Sequence, residues 1–206
     1  MAAGLLLTGF AGYQIYDSMV NERATLESAY AHLEEQRIVH ASESDSEGEP
    51  AEGEPAEGVP AEGEPAFDIM GYDEDYGQVF GVLTIPALDD RSIGIIEGAD
   101  DDALAQGVGH VESTAFPGQG EQIVLSGHRD SVFRDFSTLV EGNRFIVDML
   151  YGTYEYEIKE IVIVDADDTT VIGPMGEEVL VVSTCYPFGY FGPAPQRAVF
   201  YAYPVN

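Results

Sequence analysis

Cysteine is nearly missing from this chain: Cys185 stands alone in 206 residues. A lone cysteine excludes an intramolecular disulfide framework. Metal-type spacing is missing too. No Cys or His pair stands two to five residues apart between Phe67 and the C-terminus. Basic residues are scarce: Lys and Arg number 8 against 38 Asp and Glu, for a net charge of -30, and Lys159 is the one lysine. A binder of phosphate backbones needs cations to release counterions, so nucleic acid is excluded as a partner. A long hydrophobic run is also lacking. Residues 2–15 are apolar except for Thr8, Tyr13 and Gln14, but a spanning helix needs about 20 residues.

What remains is ordinary globular composition, with 45% hydrophobic residues, enough for a real core. The acidic excess is partly a tail effect, because residues 43–64 contribute to it. Asp and Glu still dominate elsewhere. Such a surface repels itself at low salt and suits concentrated salt, where screening acts within about 3 Å at 1 M.

Four stretches differ in composition. Residues 1–15 are either a buried helix or a partial membrane anchor. The anchor is preferred because the run is terminal and a long polar stretch follows. It lacks a basic n-region and an obvious small-x-small cleavage site, so retention is expected. Residues 16–40 form a helical stretch without Gly or Pro, with Leu26, Tyr30 and Leu33 at i, i+4 and i+7. That narrow stripe fits a juxtamembrane helical stalk in solvent, or a helix lying on the domain. Residues 41–66 repeat Glu-Gly-Glu-Pro-Ala around Pro50, Pro55 and Pro65, with a Val59 variant before Pro60. With almost nothing to bury, this is expected to be a disordered acidic linker. The rival reading is an interaction tail whose Ser42, Ser44 and Ser46 suit an acid-directed kinase. Residues 67–206 read as the folded domain, expected to fold without the first 66.

Within that domain, short β-type runs alternate with Gly and Pro turns, which implies a barrel or a sandwich. The runs are 79–85, 92–96, 122–126, 144–149, 154–164, 179–184 and 198–203. Residues 100–105 read as one or two helical turns, and 131–140 as a second short helix with Phe133 and Phe136 on one face. Tyr151, Tyr154 and Tyr156 fit a hairpin around Gly152 and read as sheet-packing residues.

Free cysteine usually acts as a small buried hydrophobe. Cys185, however, closes the apolar run 179–182 just before Tyr186 and Pro187, and Pro187 cannot continue a central strand. Cys185 therefore sits where a strand leaves the core. His128 ends the run Ile123-Val124-Leu125 through Ser126-Gly127, and Arg197 opens the last strand. A thiolate nucleophile needs a proton-exchanging partner and a cation or donors for the developing oxyanion. Taken alone, His128 could cap a loop and Arg197 could form a surface ion pair. Together at strand ends of one small β domain, the three are candidates for catalysis.

These residues also carry a resemblance. From Gly81-Val82-Leu83-Thr84-Ile85-Pro86 to the C-terminus, the domain resembles the sortases, most of all class D. The shared elements are Phe116-Pro117-Gly118, Ser126-Gly127-His128-Arg129-Asp130-Ser131-Val132-Phe133, Thr184-Cys185-Tyr186-Pro187-Phe188 and Ala194-Pro195-Gln196-Arg197. Several separated motifs in one order are specific where any one alone is weak. The resemblance implies a mainly all-β fold: an eight-stranded barrel with short helices, after an N-terminal helix and linker. It implies His128, Cys185 and Arg197 as catalytic residues, with Thr184, Ser126 and Asp130 beside them as substrate-binding residues.

The implied reaction is cleavage of an LPxTG-like sorting signal of surface proteins between Thr and Gly. It passes through a Cys185 thioester to an amine acceptor such as a cell-wall precursor or a pilin lysine. The implied location is the cell membrane, through a single-pass N-terminal anchor, with the catalytic domain extracellular. No cofactor is expected. The family's usual Thr-Leu-x-Thr-Cys is replaced here, with Val181 and Val182 at its first two positions. Some class A members bind calcium through acids before the histidine strand. Here only Glu112 and Glu121 flank residues 113–120, so no metal site is expected.

Two other classes stand beside this one. A hydrolytic cysteine peptidase of caspase type also places His before Cys, but the Gln-Ala-Cys signature is absent, and the papain order is reversed. A non-catalytic anchored β domain for adhesion is the other.

Overall fold

The β-branched and aromatic runs of the sequence form eight strands. The structure is a computed structural model and describes residues 20–35, 67–189 and 192–205. A helix, α1, covers residues 20–35. The strands are β1 (Val79–Ile85), β2 (Arg91–Glu97), β3 (Val108–His110), β4 (Gln122–Gly127), β5 (Arg144–Met149), β6 (Gly152–Asp165), β7 (Val179–Tyr186) and β8 (Gln196–Pro204). They close into one barrel in the order β1-β2-β3-β4-β7-β8-β6-β5. Closure removes the exposed edges that an open sheet would carry. The pairs β2·β3 and β4·β7 run parallel. The other pairs run antiparallel.

Side chains alternate across a strand, so each barrel strand has an inward and an outward set. Inward sets from all eight strands form the main core, including Phe80, Ile95, Val108, Leu125, Phe145, Tyr156, Val182 and Phe200. Burial and a hydrogen bond to Glu178 push the Tyr156 phenol far above its usual range. The outward sets of β4, β7 and β8 form a second apolar layer of Val124, Val179, Val181 and Val199. It is covered in part by Val171 of the long β6–β7 connection. That connection is pinned by buried Gln122, which donates to the Val171 carbonyl (2.8 Å) and accepts from the Gly173 N–H (2.9 Å).

The expected helical turn at 100–105 is present as α2 (Asp101–Leu104), capped by the Asp100 carboxylate. The short helix expected over 131–140 is not formed. That segment makes turns and a single 3-10 turn at Phe136–Thr138. Asp135 takes a left-handed φ of 71°, which a right-handed helix cannot continue through. Phe133 and Phe136 nonetheless stack in the core with centroids 4.0 Å apart.

Of the two readings of the N-terminal helix, the structure shows the docked one. Ala29 and Leu33 pack with Val82 on the outside of the barrel, flanked by Leu26, Val79 and Leu150. The helix comes close because β2 carries Gly94: a Cβ there would meet the Thr25 carbonyl oxygen at 2.9 Å. A chain starting at Phe67 would uncover that patch. The expectations for residues 1–15 and 41–66 lie outside the described residues.

The acidic excess has a measurable consequence. Folding gathers carboxylates with few cations between them, so repulsion penalises the compact state and screening relieves it. The melting temperature of the chain is expected to rise from low salt to about 2 M, more than that of a non-acidic homologous domain. A flat or falling curve would remove any stabilising role for salt.

Candidate active site

The parallel register of β4 on β7 ends at the pair Gly127↔Thr184. One step further along each chain come His128 and Cys185. On the other side of β7, Cys185 pairs directly with Arg197 of β8. Three residues from distant parts of the sequence therefore fall in one row across adjacent strand ends. Alternation gives their face. Leu180 and Val182 belong to the main core, whereas Val179 and Val181 belong to the outer layer, and Cys185 shares their parity. On β8, Ala198 and Phe200 point inward, and Arg197 falls with Val199 on the outer side. The row thus closes the upper end of an apolar outer stripe. Cys185, His128 and Arg197 are all partly exposed.

Local packing explains why the row sits at this end. Thr184 faces inward and is 2% exposed. Its hydroxyl donates to the Gly127 carbonyl at 2.8 Å and stitches β7 to β4 immediately below the row. Its side chain is therefore committed to that stitch. Gly127 has no room for a side chain, since a Cβ would lie 2.6 Å from the Phe133 ring and 2.7 Å from Val132. That close approach folds residues 128–135 back under the strand end. The Gly127→Ala variant is expected to lose about 1–3 kcal/mol of stability through overpacking, read as a lower melting temperature. An unchanged melting temperature would show that the segment gives way freely.

The other sequence candidates lie beside the row. Ser126 is half-buried on the outer side of β4, opposite Ser183 of β7. Asp130 stands in the turn after His128 with its side chain 79% exposed, and one oxygen lies 3.5 Å from Arg129 Nε. Arg197 Nη1 donates to the Gln196 and Ala194 carbonyls at 3.0 and 3.4 Å, which holds its stem against the loop before β8.

Sequence reasoning passed over Arg129. It is 8% exposed and donates to the Pro187 carbonyl at 2.9 Å and the Gly192 carbonyl at 3.2 Å. It thereby ties the loop that follows Cys185 to the residue beside His128. The available signal was an arginine adjoining the candidate histidine in a chain with so few cations. His110 pairs with Glu97 at 2.6 Å inside the barrel wall, among Phe80 and Phe116. It is remote from Cys185 along β3, because it pairs with Leu125 rather than with the strand end. Among the described residues, no group of three or more His, Cys, Asp or Glu is arranged to hold a metal ion.

The arrangement suits a nucleophilic thiol flanked by an imidazole and a guanidinium at a strand edge. Comparison with known proteins places the chain in a family. The sortase domain family matches residues 83–205. "Sortase D" of Bacillus subtilis (strain 168) is 35% identical over 202 residues, covering 98% of this chain and 93% of that protein. The catalytic domain of B. anthracis SrtD is 40% identical, covers 66% of this chain and 92% of its own, and superposes with a TM-score of 0.56. A Clostridium perfringens sortase D5 transpeptidase shares the fold, with a TM-score of 0.65 and 22% identity over 91% of this chain and 99% of that one. A family match over more than half of the chain, together with a relative of this identity along nearly its full length, shows that the chain belongs to the sortase family of cysteine transpeptidases.

Proposed function

We propose that this chain cleaves an LPxTG-like sorting signal between Thr and Gly and transfers the acyl group to an amine at the cell surface. The observation that supports it is the single row of His128, Cys185 and Arg197 in a member of this family. The Cys185 thiolate attacks the threonine carbonyl carbon, and the carbonyl π electrons move onto oxygen. The Arg197 guanidinium, next to Cys185 across the β7–β8 pair, donates to that oxyanion or holds the signal backbone. Collapse of the tetrahedral species breaks the Thr–Gly C–N bond, and His128 in its protonated form gives the leaving amine its proton. A Cys185 thioester remains. Neutral His128 then takes a proton from the incoming amine, which displaces the thiolate and forms the new amide. Ser126 and Asp130 flank the bound signal. Thr184 contributes its place beside Cys185, since its hydroxyl is committed to Gly127.

The chain works from the membrane, with residues 1–15 as part of a single-pass anchor, residues 41–66 as a spacer and the barrel outside the cell. The apolar character of residues 2–15 supports the anchor. Those residues lie outside the described ones, among which no helix is long and apolar enough to cross a membrane. The partners are sorting signals of surface proteins and an amine of a wall precursor or a pilin lysine.

The test is product analysis. With an LPxTG-like peptide and amines such as triglycine or hydroxylamine, the main product should end in Thr joined to the amine. Hydrolysis that no amine diverts would identify a peptidase instead. Absence of cleavage by folded protein would favour an adhesion domain.

A further inference from the structure

We propose that Arg91 is a positioning residue of the transpeptidation, acting jointly with Glu22 of α1 to hold the segment that begins at His128. The proposal rests on the acid–base role given to His128 above. Arg91 is the first residue of β2. Its Nη2 donates to the Ser131 carbonyl at 3.0 Å, and its Nη1 donates to the Arg134 carbonyl at 3.4 Å. The same Nη2 lies 3.2 Å from Glu22 Oε1. Ser131 is in turn one hydrogen bond from the histidine: its N–H and that of Phe133 donate to the His128 carbonyl at 3.3 and 3.1 Å. A continuous polar path therefore runs from the α1 carboxylate through Arg91 and Ser131 to the backbone of His128.

The segment is gripped from two sides. Val132 and Phe133 fix its inner side beneath Gly127. Arg91 takes its outer side, across 43 residues of sequence for the bond to Arg134 and 40 for that to Ser131. The Glu22–Arg91 pair is partly exposed, with side chains 19% and 25% accessible. By itself such a pair adds little to stability, because solvent screens it. Its importance lies in orientation, since guanidinium bonds to carbonyls are charge-assisted and directional. A displacement of about 1 Å at a reacting group can cost ~10²-fold in rate. Docking of α1 is on this account part of building the active site, and the helix does more than cover Val82.

The test uses the full chain, a Leu-Pro-Glu-Thr-Gly peptide and triglycine. The variants are Arg91→Met, Arg91→Lys and Glu22→Gln, each made alone and on a His128→Ala background, with melting temperatures recorded. Arg91→Met should lower kcat about 10-fold with KM nearly unchanged, within the range misplacement produces. Arg91→Lys should recover part of that loss, and Glu22→Gln should show a smaller fall in kcat. On the His128→Ala background none of them should lower the rate further, because residues acting as one unit are not additive. An equal fall on both backgrounds, or full kcat in folded Arg91→Met, would overturn the proposal. If Arg91→Met does not fold, Arg91→Lys and Glu22→Gln decide the same comparison. A His128→Ala protein as active as the parent would overturn the acid–base reading itself, and this proposal with it.

Discussion

Replacing Cys185 with Ala is expected to reduce transpeptidation to the uncatalysed background. Cys185 is the one thiol in the chain, so no second sulfur can form the thioester. The barrel should tolerate the change, because the side chain is partly exposed on the outer side of a strand end and leaves no core cavity. With substrate peptide, the parent protein should carry a hydroxylamine-sensitive acyl label, and the variant none. The melting temperature should move little, since substitutions away from the core usually stay within about 0.5 kcal/mol. Labelling that persists in Cys185→Ala would sink the assignment of the acyl carrier.

Next in size should be His128→Ala and Arg197→Ala, each lowering kcat/KM by at least ~10²-fold, the usual scale for one acid–base or oxyanion group. The two should differ in kind. With His128 as the proposed acid and base, its loss should slow both acyl-enzyme formation and its resolution by amine. With Arg197 as the proposed partner of the oxyanion and the signal backbone, its loss should change KM for the peptide along with kcat. Folding should survive in each case, because both side chains are partly exposed at strand ends. Among the described residues, Arg197 gives up bonds to the nearby Ala194 and Gln196 carbonyls. Variants that unfold instead would show that these residues are structural.

Much of the barrel was legible because its strands are local signals. Seven of them follow runs of apolar and β-branched residues bounded by Gly, Pro or acidic turns, and their limits fall close to the expected ones. β3 was not legible. It is three residues long, between Gly107 and Val111, and carries no alternation of its own. It exists because Gly109 and His110 find partners on β2 and β4 at once. The expected helix over 131–140 failed for the opposite reason. Phe133 and Phe136 have helical spacing and do reach the core, but the chain brings them there through Asp135 at positive φ. Periodicity reports which side chains are buried; it does not report which backbone path buries them.

The site divides along the same line. The residue types, their places at strand ends and the separated motifs of a known family were all readable from the order of amino acids. So was the acidic excess, because charge is a sum over residues whatever their arrangement. What only the tertiary structure decided is adjacency. His128 follows the pair Gly127↔Thr184 at the level of Cys185 because β4 and β7 pair in parallel in the register that buries Leu125 and Val182 on one side and Val124 and Val181 on the other. A slip of one residue would turn every side chain to the wrong face. The docking of α1 through Gly94 and Arg91, and the tether of the Cys185 loop by Arg129, are likewise contacts between distant segments. Such contacts leave no local trace, because each depends on a partner that the closed barrel alone brings within reach.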